Sequence, residues 1–158
     1  MAVQPHNVGQ TGKMTTEELP LLVACGEWGA AEALARQALN AVQPRKTPLE
    51  AARARRLLAD VLIDAGRAEE AAREIETAWA EYRSATSDDD ATLAELELTA
   101  ARLSLARDDW EGARKNLDHA ASLLEKRTDC ALLFASVLKT GSSSKVGEGD
   151  FKGLRCAA

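Results

Sequence analysis

The residues of this 158-residue chain whose chemistry is worth weighing first are His119, the acidic run Asp88-Asp89-Asp90, the carboxylate pairs Glu69/Glu70 and Glu95/Glu97, and Cys25, Cys130 and Cys156. General acid–base work by His119 would need an oriented partner, and its neighbours Asp118 and Ala120 do not supply one by spacing. It reads as a solvated or packing histidine. The aspartate run invites a cation, but a calcium loop alternates its ligands around a central glycine and closes on a bidentate glutamate, and neither follows here. Three carboxylates just ahead of a helix instead suit its N-terminal dipole. With 28% charged residues, the glutamate pairs are expected as surface helix charges. The cysteines are odd in number and fit no metal or redox spacing, so Cys25 and Cys130 are expected to pack as small apolar residues. No G-x-S-x-G, P-loop, H-E-x-x-H or C-x-x-C motif occurs. The chain is therefore expected to be no enzyme and to need no metal or cofactor.

The totals narrow the partners. A net charge of −5 repels a phosphate backbone, so nucleic acid is not expected. No apolar run approaches the ~18 residues of a membrane span, and the N-terminus lacks a basic-then-apolar signal, so a cytoplasmic protein free of membranes is expected.

The elements that must position these side chains are helices. Leu57, Leu58, Val61 and Leu62 form one apolar stripe, and Ala71, Ala72, Ile75, Ala78 and Trp79 form another, both at helical period. Gly66 lies between them, where a helix C-cap favours a left-handed residue. A hairpin of this kind cannot bury its own apolar face, and matching neighbours lie on either side. Gly26-Glu27-Trp28-Gly29-Ala30-Ala31, Gly66-Arg67-Ala68-Glu69-Glu70-Ala71 and Asp108-Asp109-Trp110-Glu111-Gly112-Ala113 fall into register. The same offsets then give Ala35 and Ala38, Ile75 and Ala78, and Leu117 and Ala120.

These residues resemble the tetratricopeptide repeat, whose inter-helix turn reads Gly-Asp-Tyr-x-x-Ala. Ala59 and Ala101 match its small first-helix site. Asp108 replaces the turn glycine and Arg83 stands at the usual proline. The matched alanines are 40 and then 42 residues apart, which is similar to the long-helix variants of kinesin light chains and bacterial regulators. The resemblance implies an all-α, right-handed α-solenoid of six to seven helices. Its repeats are expected at 19–43, 48–84 and 90–126, inside a domain spanning 15–140 that ends in a capping helix at 128–139. Flanking tails are expected at 1–14 and 141–158. Within the first repeat, a short helix is expected from Pro20 to Gly26 and a second from Trp28 to about Val42. Thr47-Pro48-Leu49-Glu50 carries the signals of a helix start, with Thr47 as N-cap. Asp108 is expected to cap the second helix of repeat three, and Trp28 and Trp110 to wedge between helices.

The resemblance also implies a function: a protein–protein interaction scaffold, monomeric or weakly self-associating, that holds a partner peptide or helix in a concave groove. The alternative it implies is a regulatory segment of a larger bacterial kinase or transcriptional activator. The groove positions fall on Arg53, Arg56, Asp60 and Asp64 in repeat two and on Glu95, Leu98, Arg102 and Leu105 in repeat three. Arg56 and Asp60 stand where the chaperone-binding members carry lysine and asparagine, so that particular activity is not expected. A ligand of mixed charge, with apolar anchors against Leu98 and Leu105, would fit such a face.

Overall fold

The computed structural model describes residues 16–86 and 89–125, and among them every regular element is helical. A single 3₁₀ turn, Thr16–Glu18, leads into α1 (Leu19–Ala24). Five longer helices follow: α2 (Trp28–Ala41), α3 (Pro48–Asp64), α4 (Ala68–Ser84), α5 (Asp90–Ala106) and α6 (Trp110–Glu125). The prolines sit where their missing N–H is harmless, Pro20 in the first turn of α1 and Pro48 opening α3. The expected tails, the capping helix at 128–139, Cys130 and Cys156 lie outside the described residues.

All three hairpins turn through one backbone device. Gly26, Gly66 and Asp108 adopt left-handed φ values of 75°, 76° and 59°. The amide of the following residue reaches back five positions in each: Glu27 to the Leu22 carbonyl, Arg67 to Leu62, and Asp109 to Ser104. This pairing closes the orphan carbonyls at the end of a helix and fixes the direction in which the chain leaves it. Asp108 therefore does the work of a turn glycine rather than capping the next helix as expected. That cap is Asp109, whose Oδ1 accepts the Gly112 amide at 2.9 Å. A Cβ at Gly112 would lie 2.1 Å from Asp109 Oδ2, so any larger residue there would displace the Asp109 side chain from this capping position.

Alanine carries the close packing. α3 lies antiparallel on α4, α5 on α6, and α5 also touches both α3 and α4. Ala31, Ala35, Ala59, Ala71, Ala78, Ala101 and Ala120 expose no surface. Leu58, Leu62, Leu96 and Leu124 are the large apolar side chains that are fully buried. Leu58 and Leu62 belong to a cluster that runs from α1 to α4 and takes in Leu103 of α5, and Leu124 belongs to a second cluster confined to α5 and α6. Because Ala71 sits where α3 and α4 approach, Ala71→Leu should overpack and lower stability by about 1 to 3 kcal/mol, read from urea melts.

Two packing expectations are corrected. Trp28 and Trp110 keep 38% and 41% of their surface in water, so each lies along the start of its helix instead of wedging between two. Cys25 is an exposed thiol in the first turn. Trp79 does pack against the first cluster, and it meets the Tyr82 ring edge-on at 6.3 Å.

Candidate partner-binding face

The eight residues expected to line a groove are brought together on one face, where α3 and α5 lie side by side. Six of them are charged, and the structure pairs all six with the chain itself. Arg53 donates from Nε to Thr92 Oγ1 at 2.7 Å and from Nη2 to Asp89. Arg56 reaches Asp60 at 2.8 Å and stands 3.2 Å from Glu95, although its buried Nε is not aligned for a hydrogen bond. Arg102 donates to Asp60 at 2.6 Å with one amino group and to Asp64 with the other. The Thr99 hydroxyl lies 3.1 Å from Asp60 Oδ1 and equally close to the Glu95 carbonyl. Leu98 and Leu105 are half-buried, and Leu98 packs on the α5–α6 cluster.

Asp60 is the centre of this ladder, accepting from two guanidiniums and a hydroxyl. Burial between the helices pushes its carboxyl upward from the ordinary value, against Arg56 and Arg102, which favour the charged form. Burial also opposes the charge on Arg102, yet Asp60 and Asp64 outweigh it and raise its pKa. Asp89 is likewise penalised by burial, but its bonds to Thr92 and Arg53 hold it below the usual value. Arg53 is the exception to enclosure, with 48% of its side chain in water against 18% for Arg56. Its exposed part remains within reach of a ligand.

Thr92, Thr99 and Asp89 complete the ladder and were not among the expected groove residues. Thr92 and Thr99 lie on the inward side of α5, where a hydroxyl buried at 1% exposure must find a partner, and Asp89 precedes that helix. Glu97 is a second correction: it is buried at 8% rather than a surface charge, and one of its oxygens lies 2.7 Å from His119 Nδ1. Thr47 is a third, because its hydroxyl turns back to the Gln43 carbonyl and makes no capping bond to α3. Elsewhere Arg55 joins Glu74 and Glu81 across the α3–α4 hairpin, while Arg67 ties the second turn to Glu32 and Arg107 ties the third to Glu69. Among the described residues no group of His, Cys, Asp and Glu is arranged to hold a metal ion, and no helix is long and apolar enough to cross a membrane.

The titrations set a pH response. Glu32, held by Arg36 and Arg67, and Glu70, held by Arg67, have folded pKa values below 4.5, and Asp89 lies below 3.8. Each contributes stability that is present above its ordinary pKa and is lost as pH falls through the lowered folded value. Asp60, shifted upward, acts in the opposite sense and is best tolerated at low pH. The melting temperature should therefore fall as pH drops below about 4.5, more gently than if Asp60 joined the other three. Salt should flatten the part due to Glu32 and Glu70, which are solvent-screened. Melts from pH 3 to 7 at low and high salt check both statements.

Compared with known proteins, the chain matches no family model, no curated protein and no solved structure.

Proposed function

We propose that the chain is a helical-repeat interaction scaffold of the tetratricopeptide kind, which takes a partner peptide or helix along the α3–α5 face. The observation that carries the reading is the threefold turn: Gly26, Gly66 and Asp108 share a left-handed φ and the same five-residue backward hydrogen bond. The buried alanines fall at matched offsets from those turns, which supports a repeated unit rather than three unrelated hairpins. Repeats of this kind make an extended face available to a partner.

The ladder defines how such a partner would be held. Arg56, Asp60, Asp64 and Arg102 satisfy one another, so a ligand gains little from them unless it offers both signs of charge. Leu98 and Leu105 supply apolar anchors and Arg53 a half-exposed guanidinium that can grip a carboxylate. Affinity capture with the full chain, followed by the double variant Leu98→Glu/Leu105→Glu, tests this. A bound partner should be lost by at least tenfold at a temperature where circular dichroism shows both proteins folded, with some fall in melting temperature because Leu98 also packs on the α5–α6 cluster. A partner retained equally by both proteins would remove binding from this face.

A further inference from the structure

We propose that a zwitterionic aliphatic amino acid binds in the cleft between the α2–α3 loop and the C-terminal end of α4, its ammonium donating to Glu81 and its carboxylate accepting from Arg45. The site goes beyond the scaffold reading and shares no residue with the α3–α5 face. The cleft holds about 450 Å³ and is lined by Pro44, Arg45 and Pro48 from the loop and the start of α3, and by Ala80, Glu81 and Ser84 from α4. That volume lies in the range of small-molecule sites. Local structure sets its walls. The Lys46 and Thr47 amides both donate to the Gln43 carbonyl, which holds Arg45 in a tight turn, and the rings of Pro44 and Pro48 fix φ on either side of it. Opposite, α4 ends at Ser84, whose hydroxyl donates to the Glu81 carbonyl at 2.7 Å.

The chemistry comes from two groups that the fold leaves incomplete. Glu81 accepts from Arg55 through Oε1 at 2.8 Å, and its Oε2 is buried with no hydrogen-bond partner. Buried carboxylate oxygens are ordinarily satisfied, because one without a donor is unfavourable. Arg55 also pairs with Glu74, so one guanidinium serves two carboxylates and the floor of the cleft keeps an excess negative charge. Arg45 supplies the opposite sign: it is exposed, and its side chain makes no hydrogen bond or ion pair with any described residue. By contrast Arg53, Arg56, Arg67, Arg102 and Arg107 all hold carboxylates. The repeat does not call for an acid at this position either, since Glu81, counted from its turn, matches Ala41 and Leu123.

An amino acid completes both groups at once. Its ammonium is a donor suited to Oε2, and the soft terminal torsion of a glutamate lets that oxygen turn toward the cleft while Oε1 keeps Arg55. Its carboxylate matches the guanidinium fork of Arg45. Its side chain then lies on the rings of Pro44 and Pro48 and the Ala80 methyl, which offer no hydrogen bond, so an aliphatic side chain fits better than a polar one. A purely anionic ligand would be repelled by Glu81 and a purely cationic one by Arg45, which selects a ligand carrying both signs.

The probe is L-leucine, titrated into the isotope-labelled full chain and followed by amide chemical shifts. Saturable shifts centred on residues 43–48 and 80–85 are expected, with Kd at or below about 1 mM. N-acetyl-L-leucine, which lacks the ammonium, and L-leucinamide, which lacks the carboxylate, should each bind at least tenfold more weakly. Arg45→Met should weaken leucine at least tenfold and leave leucinamide within twofold. Glu81→Gln, which keeps an oxygen for Arg55, should weaken leucine equally and leave N-acetyl-leucine within twofold; where that variant is too unstable to fold, the Arg45→Met arm decides. No saturation, or either blocked analogue binding like leucine, overturns the proposal. So does glycyl-L-leucine binding tenfold tighter than leucine, which would make the ligand a peptide and not a free amino acid. A melting temperature lowered by several degrees in unliganded Arg45→Met overturns it too, because Arg45 would then already be paired within the fold.

Discussion

Replacing Asp60 with alanine is expected to destabilise the protein by about 3 kcal/mol, more than any other change to a charged residue described here. The carboxylate accepts from Arg56, Arg102 and Thr99, and its removal leaves those donors between two helices without their shared acceptor. Arg102 would keep Asp64, and Arg56 would keep only the misaligned Glu95. Taking one partner from an enclosed pair is costly because the other charge stays desolvated; replacing the set with apolar residues of similar volume is often neutral. Asp60→Leu combined with Arg56→Leu and Arg102→Leu should therefore recover much of what Asp60→Ala loses. Urea denaturation of both proteins decides the matter. If Asp60→Ala melts like the parent, the ladder is a surface decoration and α3 and α5 are held by their apolar contacts alone. The same geometry means that charge reversal at Arg56 or Arg102 should lower the melting temperature, so neither variant can report on binding by itself.

The backbone plan of this molecule is legible in its sequence because each of its devices is local. A residue that must turn left-handed is written as Gly26 or Gly66, and a helix start is written as Pro48 within one residue of its position. The spacing of Ala71 from Gly66 repeats in Ala31 from Gly26 and Ala113 from Asp108, and all three are buried. What was not legible depends on a partner far along the chain. Asp60 and Thr99 are 39 residues apart, and Asp60 and Arg102 are 42 apart. A helix that shows charges at Arg53, Arg56, Asp60 and Asp64 looks the same whether it faces water or a second helix. The candidate face was thus located by register, while its closure by its own ion pairs required coordinates. Glu97 misleads for the same reason, since its burial follows from the position of α6 and not from its neighbours in sequence. At Asp108-Asp109 the capping role expected of the first aspartate falls to the second, because the first stands where the backbone must turn.

Leu62→Ala should be comparably damaging, with an expected loss of about 2 to 5 kcal/mol. Leu62 is 1% exposed and belongs to the cluster that joins α1 to α4. Much of that cluster is alanine: Ala31, Ala35, Ala59 and Ala71 carry one methyl each and have no rotamers with which to move into a void. A core so built concentrates its apolar transfer energy in a few leucines, at about 0.8 kcal/mol per buried CH₂. Three heavy atoms lost at Leu62 account for roughly 2 kcal/mol, and the cavity left among rigid neighbours adds the remainder. The carbonyl of Leu62 also accepts the Arg67 amide in the second turn, but that bond is made by backbone and survives the substitution. The loss should therefore appear as a lower denaturant midpoint with an unchanged slope, since the turn and the helices persist in the folded state. Leu96→Ala, at a fully buried leucine of α5, should behave alike, whereas Leu21→Ala, on an exposed side chain, should stay within about 0.5 kcal/mol of the parent. A Leu62→Ala protein as stable as the Leu21→Ala protein would mean that the alanine contacts, not the leucines, hold the hairpins together.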